Sequence, residues 1–347
     1  MKKNFSLAPM AEISHRALRE LIEGFGGCDE YYTEMISAGA LIGGGQYEAW
    51  YTDSGPKPEK LVFQLLGRDS EQLIKAASLL DQQECLGIDI NMGCSAPLIR
   101  KTGAGVAWMA RIDEAAELIS QLRKAVKNRL SVKIRTGFNE DFDYLACFCK
   151  RLEAEGLDLI TLHPRTAAEK FKRRARWDYV GQLKREVKIP VIGNGDISSA
   201  NELLARAEQK YLDSELCDGV MVGRGAVKEP WIFAEADGLE FEGSGVGGRG
   251  LLSEDMDCCS CAQTANNNTQ TLNPKPQTLI KDTGLRFLEL LSKYQPKEFH
   301  VSRARRFFHY FCDNLQWANH LKIIINRENS LIDIERVWCK YFTDSVN

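Results

Sequence analysis

Cys94 is the first residue of this chain with chemistry to offer: it ends "GIDINMGC" and precedes the glycines of "KTGAG" (Lys101–Gly105). A thiol there can serve as nucleophile or general acid, or fill space as a small buried hydrophobe. Asn91, Gly93 and those glycines open the backbone around it. Lys133, in "SVKIRTG", sits in a run whose alternation turns Val132 outward and Lys133 inward. A buried ammonium needs an anionic or electron-rich partner. Either a core carboxylate or the negative charge of a reduced flavin would serve. Gln64, in "VFQLLG", adds a neutral donor and acceptor that can read a ring edge.

Two glycine-bearing stretches suit a phosphate. "VMVGRGA" (Val220–Ala226) joins an apolar run to a helical pattern, with Gly223 and Gly225 exposing amides beside Arg224. A tight turn is the alternative reading. "IGNGDI" brings Asn194, Gly195 and Asp196 one strand earlier. Together they point to a phosphorylated cofactor such as FMN. His163 and Arg165, in "LHPRT", can bind phosphate or substrate.

Two basic clusters remain. "EKFKRRARW" carries Lys170, Lys172, Arg173, Arg174 and Arg176, and "HVSRARRFFHYF" sets Arg303, Arg305 and Arg306 among aromatic residues. Such clusters fit contact with a nucleic-acid backbone and base stacking, although a charge run is also an ordinary solvated face. Cys258, Cys259 and Cys261 resemble half a metal site with no second pair, so no metal is expected. Cys28, Cys85, Cys147, Cys217, Cys312 and Cys339 read as buried thiols.

The elements that must hold these residues alternate between short β-rich runs and longer amphipathic stretches. The predicted strands are Phe5–Ala8, Glu30–Thr33, Leu61–Leu65, Gly87–Asn91, Ser131–Arg135, Leu157–Leu162, Pro190–Gly193 and Gly219–Val222. Asp69–Ser70, Asp113 and Ser198–Ser199 read as helix starts. The pattern predicts an α/β chain with a (β/α)8 TIM barrel over residues 1–236. A doubly wound sheet ranks second, because no GxGxxG follows the first strand. In a barrel the functional residues gather at the C-terminal strand ends. There the chain places "APM", "TEM", "QLLG", "NMGC", "KIRTG", "LHPRT", "GNGD" and "GRGA". Residues 237–278, rich in Gly, Asn, Thr and Pro, read as a linker or insertion. Residues 279–347 predict a small all-helical C-terminal domain.

Composition narrows the class. A net charge of -3 announces no nucleic-acid binder, so that role must come from local charge. Eleven cysteines without framework spacing suggest reduced thiols. "MKKNFSLAPMAEISHRAL" meets Glu12, His15 and Arg16 too early for a signal peptide. No apolar run nears the roughly 18 residues of a membrane span. A cytoplasmic location without membrane contact is expected.

The ordered set "APM", "TEM", "QLLG", "DINMGC", "KTGAG", "VKIRTG", "LHPRT", "GNGD", "GRGA" and "PWIF", spanning Ala8–Phe233, resembles the tRNA-dihydrouridine synthases. The resemblance implies an FMN-binding barrel followed by a helical domain that helps hold tRNA. It implies FMN contacts at Pro9, Met10, Ala11, Gln64, Lys133, His163, Asn194, Gly195, Asp196, Gly223 and Arg224, and Cys94 as catalytic acid. NADPH (or NADH) would reduce FMN, flavin N5 would pass hydride to uracil C6, and Cys94 would protonate C5 of a uridine flipped out of tRNA. Asn91, Arg135, Arg165, Lys170, Arg173, Arg174, Arg303 and Arg306 are the residues expected toward the RNA. A monomer is the expected state. Ser95 departs from the family's usual proline, the loop 167–176 is more basic than its glycine-rich counterparts, and 237–278 has no counterpart. The competing readings are an FMN barrel acting on a free pyrimidine, like dihydroorotate or dihydropyrimidine dehydrogenase, a non-catalytic flavin-containing RNA-binding protein, and a flavin-free phosphate-binding isomerase.

Overall fold

A computed structural model describes residues 3–239 and 275–344, apart from 56 and 171. The strands are β1 (Asn4–Leu7), β2 (Glu30–Tyr32), β3 (Ile36–Ser37), β4 (Leu61–Leu66), β5 (Gly87–Met92), β6 (Arg129–Arg135), β7 (Leu159–His163), β8 (Val191–Asn194), β9 (Lys210–Tyr211), β10 (Ser214–Glu215) and β11 (Gly219–Val222). Eight of them pair in parallel in the order β2-β1-β11-β8-β7-β6-β5-β4, and β4 returns to β2. The sheet is thus a closed (β/α)8 TIM barrel. All eight predicted strands form within a residue or two of their expected bounds. β3 and the antiparallel β9–β10 hairpin were not foreseen, being two-residue strands with no period to read.

Alternation sorts each strand into two faces. Leu130, Val132 and Ile134 of β6 join the core beneath the surrounding helices, with Ile88, Ile90, Ile160 and Leu162. The inward positions are polar to an unusual degree. Gln64, Asp89, Ser131 and Thr161 are fully buried there, and a small apolar cluster that includes Tyr32, Val62, Leu159, Ile192 and Met221 shares the interior. Gln64, Asp89 and Ser131 meet the demand of such burial by bonding to one another. At one level Arg129 meets Glu30 through two bonds of 2.7 and 2.6 Å.

Around the barrel run α1 (Arg16–Phe25), α2 (Ala38–Gly43), α3 (Glu48–Tyr51), α4 (Ser70–Leu80), α5 (Pro97–Lys101), α6 (Ile112–Ala125), α7 (Phe142–Ala154), α8 (Trp177–Glu186), α9 (Ala200–Glu208), α10 (Arg224–Lys228) and α11 (Ile232–Ala236). Asp69 and Ser199 cap α4 and α9 as expected, accepting from Gln72 N at 2.9 Å and Glu202 N at 3.3 Å. Asp113 does not cap α6. It lies inside the first turn, behind Arg111, where a carboxylate suits the positive helix end.

The C-terminal segment is helical: α12 (Gln277–Tyr294), α13 (Lys297–Phe311), α14 (Ala318–Ile325) and α15 (Leu331–Asp344). α12 packs on α1, and α13 on α10. Phe287 and Phe307 stack with ring centroids 3.7 Å apart. At the α12–α15 crossing, a side chain on Gly284 would meet Trp338 at 2.5 Å, so only glycine admits this approach. Phe307, Phe308 and Phe311 were expected beside the basic cluster as stacking partners for bases. They are core residues instead, because their spacing puts them on the buried face of α13.

Cys28, Cys217 and Cys312 are buried as expected, whereas Cys85 and Cys339 are half-buried and Cys147 is exposed on α7. Cys258, Cys259, Cys261 and most of the expected linker lie outside the described residues. Among the described residues, no helix is long and apolar enough to cross a membrane.

Candidate active site

The C-terminal strand ends open into a cavity of ≈ 1050 Å³. Cys94, Lys133, His163, Asn194, Gly223 and Arg224 all line it, together with Pro9 and Met10. Its wall holds eight Lys or Arg residues (Lys133, Arg135, Arg165, Lys170, Arg174, Arg206, Arg224 and Lys228) against three carboxylates, Asp196, Glu202 and Asp313. So biased a wall favours an anionic occupant.

Lys133 projects from β6 and donates to Asn194 Oδ1 at 2.9 Å, while Asn194 Nδ2 donates to Met221 O at 2.8 Å. Burial, and then the nearby Arg135, push the Lys133 ammonium down to about 8. Asp89 and Cys94 act in the opposite direction. His163 is held well below its ordinary range by burial and by Lys133, Arg135, Arg165 and Arg224. Its ring is therefore neutral at neutral pH. Arg165 Nη1 lies 3.2 Å from His163 Nε2. A guanidinium can only donate, so Nε2 accepts and the proton resides on Nδ1.

Arg165 is buried and spends Nη2 on Asp196, with bonds of 2.7 and 2.9 Å, and Nε on Arg173 O. Asp196 also accepts from Ala175 N at 2.7 Å and sits at φ 54, a left-handed conformation that an Asp tolerates. Arg135 donates to Gly93 O at 3.1 Å and Lys170 O at 3.2 Å, tying the thiol's loop to the basic loop.

Cys94 follows β5 and is half-buried. Its amide donates to Asn91 Oδ1 at 2.9 Å, and its carbonyl accepts from Val106 N at 3.0 Å. Gly105, at φ 61, allows that second contact, since a Cβ there would fall 2.5 Å from Cys94 O. Two contacts thus hold the loop from either side, although Ser95 follows the thiol.

Several expected residues lie elsewhere. Gln64 does not line the cavity. It is fully buried below, and both ends of its amide are engaged, with Asp89 and Asn91. Ala11 is exposed on the turn after Met10. Lys170 and Arg174 reach the cavity, but the Arg173 side chain is 73% exposed and turned outside it. Arg176 is spent on Glu169 and Glu140. Arg303 is not presented to any phosphate. It is 3% exposed and ion-paired with Glu34 at 2.9 Å, because α13 docks this face against the barrel. Arg306 is half-exposed and paired with Glu12 at 2.8 Å. Met35 and Asp313 line the cavity and were not foreseen, and Tyr310, an aromatic of the basic cluster, lines it too. Met35 belongs to "TEM", a strand end that marked its own position, but docking of α13 leaves no local signal for Asp313.

The dihydrouridine synthase (Dus) family model matches residues 6–260, which include seven of the eight barrel strands whole and the second half of β1. This chain belongs to the dihydrouridine synthase family. It is thereby an enzyme of an oxidoreductase family. A probable tRNA-dihydrouridine synthase of Aquifex aeolicus (strain VF5) is 34% identical over 234 residues, covering 66% of this chain and 71% of that protein. A tRNA-dihydrouridine synthase B of Proteus vulgaris is 34% identical over 242 residues, covering 68% and 71%. That of Pasteurella multocida (strain Pm70) is 30% identical over 247 residues, covering 69% and 70%. The family match includes Cys94, Lys133 and Arg224, while α12 to α15 lie beyond it. Among the described residues, no group of three or more His, Cys, Asp or Glu could hold a metal.

Proposed function

We propose that this member of the dihydrouridine synthase family uses FMN and NADPH (or NADH) to reduce the C5=C6 bond of a uridine in tRNA, giving 5,6-dihydrouridine. The observation that carries the reading is the meeting of Cys94 and Lys133 in one cation-rich cavity at the C-terminal end of the barrel. The residues present fit FMN. Arg224 and the open backbone at Gly223 suit its phosphate, where a Cβ would find only ordinary contacts with Met10 and Ala8 at 3.5 and 3.7 Å. Lys133, Asn194 and neutral His163 supply donors for an electron-rich ring, and Pro9 and Met10 wall one side. Gly195 and Asp196 would contribute mainly by shape, because the Asp196 carboxylate is occupied by Arg165.

FMN held by these residues would supply hydride, drawn from the nicotinamide, for uracil C6. The chain's own residues complete the reaction. Cys94 Sγ holds the proton that C5 receives, so the thiol leaves as thiolate and must be reprotonated from solvent. Lys133 would favour negative charge on a ring bound beside it. Asn91 and Arg135 fix the loop that carries the thiol. Lys170 and Arg174 at the mouth suit the phosphates flanking a uridine that has left its stack. Loss of the double bond ends the planarity of the base and its stacking.

The test is direct. Purified protein reconstituted with FMN should show flavin absorption bands and, with NADPH and unmodified tRNA, form dihydrouridine detectable by nucleoside mass spectrometry. Absence of flavin bands, or reduction of free pyrimidine with none of tRNA, overturns the proposal.

A further inference from the structure

We infer that Asp89 is a positioning residue for Cys94, acting through a one-way hydrogen-bond chain made by Gln64 and Asn91. The inference rests on the proposed role of the thiol, but the chain itself is built into the barrel. Gln64 of β4 pairs in register with Asp89 of β5, which pairs in turn with Ser131 of β6. Asn91 lies two residues further along the same inward face. Gln64, Asp89 and Ser131 are fully buried, and Asn91 is 6% exposed.

The polarity of the chain is dictated from both ends. At the upper end, Gly93 N and Cys94 N lie 3.2 and 2.9 Å from Asn91 Oδ1. Backbone N–H groups only donate, so the oxygen of Asn91 must face them. Its Nδ2 is then turned to Gln64 Oε1 at 2.9 Å, which turns Gln64 Nε2 to Asp89 Oδ2 at 2.7 Å. At the lower end, Asp89 closes the chain as an ionised acceptor, with Ser131 Oγ donating to its second oxygen at 2.7 Å. Burial raises the carboxyl to about 6, so it is ionised at neutral pH. Arg129 and Lys133 of β6 and Tyr32 of β2 are the charged and titratable groups facing it.

Without an acceptor at Asp89, Gln64 must either bury a bare N–H₂ or turn over. Turned over, it presents a donor to the donor of Asn91. Asn91 can answer only by releasing the amides of Gly93 and Cys94. A change deep in the barrel is thus converted into loosening of the backbone at the thiol. Asparagine at position 89 would keep the polarity, because its oxygen accepts from Gln64 while its amide donates to Ser131.

The experiment compares wild type, Asp89→Leu, Asp89→Asn and Gln64→Met, all loaded with FMN. Amide hydrogen exchange of the peptide containing Gly93 and Cys94 should accelerate in Asp89→Leu and Gln64→Met and stay slow in Asp89→Asn. With tRNA, kcat should fall by about 10- to 100-fold in the first two, with KM little changed, and be largely restored in Asp89→Asn. If Asp89→Leu fails to fold, Gln64→Met carries the same comparison. Unchanged exchange at Gly93–Cys94 in Gln64→Met, or Asp89→Asn as impaired as Asp89→Leu, overturns the inference. A wild type that makes no dihydrouridine overturns the proposed function alone, because amide exchange reads the chain without any activity.

Discussion

Arg303 of α13 and Glu34, at the end of β2, form an ion pair at 2.9 Å with both side chains almost wholly withdrawn from solvent. Glu34 also accepts from the backbone amide of Glu12, and Arg303 donates to Gln295. The pair therefore joins the helical segment to the two loops that carry Met10 and Met35 to the cavity. Removing one partner of a buried pair leaves the other charge uncompensated, which typically costs about 3–5 kcal/mol. Arg303→Met should lower stability to urea by that order and weaken FMN binding. Arg306→Met breaks a half-exposed pair with Glu12 and should cost no more than about 1 kcal/mol. Equal effects of the two variants would show that Arg303 is an ordinary surface charge.

Lys133 gives a pH prediction with a definite sign. In the free protein burial lowers its ammonium to about 8, so the site is half-discharged just above neutrality. An anionic or electron-rich ligand restores the charge, and binding then takes up a proton. FMN affinity should therefore decline as pH rises through about 8, by at most about tenfold per pH unit. Quenching of flavin fluorescence measures it. Lys133→Met should bind more weakly with a flat profile over that range, and a slope that survives the substitution would assign the proton to another group.

Cys94→Ala separates acid chemistry from cofactor binding. The thiol contributes to the wall of the cavity without anchoring its backbone, since the loop is held by Asn91 Oδ1 and Val106 N. The variant should keep its flavin spectrum and lose dihydrouridine formation by about 10²- to 10⁴-fold, the usual range for a positioned general acid. Dihydrouridine formed at the wild-type rate would remove the thiol from the reaction.

The barrel was legible because its signal is local: eight short β-rich runs alternate with longer amphipathic stretches, and their ends carry glycine, asparagine and charge. Cys94, Lys133, Asn194 and Arg224 could be placed at one mouth from that alone. What escaped depends on contacts distant in sequence. Arg303 looked like an RNA ligand because a helix carrying three arginines looks the same in sequence whether its face is solvated or docked on Glu34. Gln64 looked like a ring-edge reader until its neighbours across the sheet were known. Asp89 did leave a mark, a carboxylate at an inward position of "GIDINM", but its meaning depends on the register that sets Gln64 and Ser131 beside it.

The basic loop between β7 and α8 divides into residues that face the cavity and residues that hold the loop. Lys170 and Arg174 line the cavity. Arg176 binds Glu169 twice, with one bond of 2.9 Å, and reaches Glu140 at 2.8 Å. Hydrogen bonding to Arg176 pulls the Glu169 carboxyl down to about 2, so the clasp stays ionised throughout the neutral range. Each phosphate neutralised by a lysine or arginine releases counterions, so loss of one contact lowers the slope of log K against log salt by about one. Lys170→Ala and Arg174→Ala should each do so in tRNA binding titrations between 50 and 200 mM salt, a window in which such contacts separate well. Arg176→Ala should leave the slope nearly intact and instead free Glu169, raising the susceptibility of the loop to proteolysis. Arg173, outside the cavity, should change neither. If all four substitutions lowered the slope equally, the loop would act as a diffuse charge cloud, and the division between facing and holding residues would be wrong.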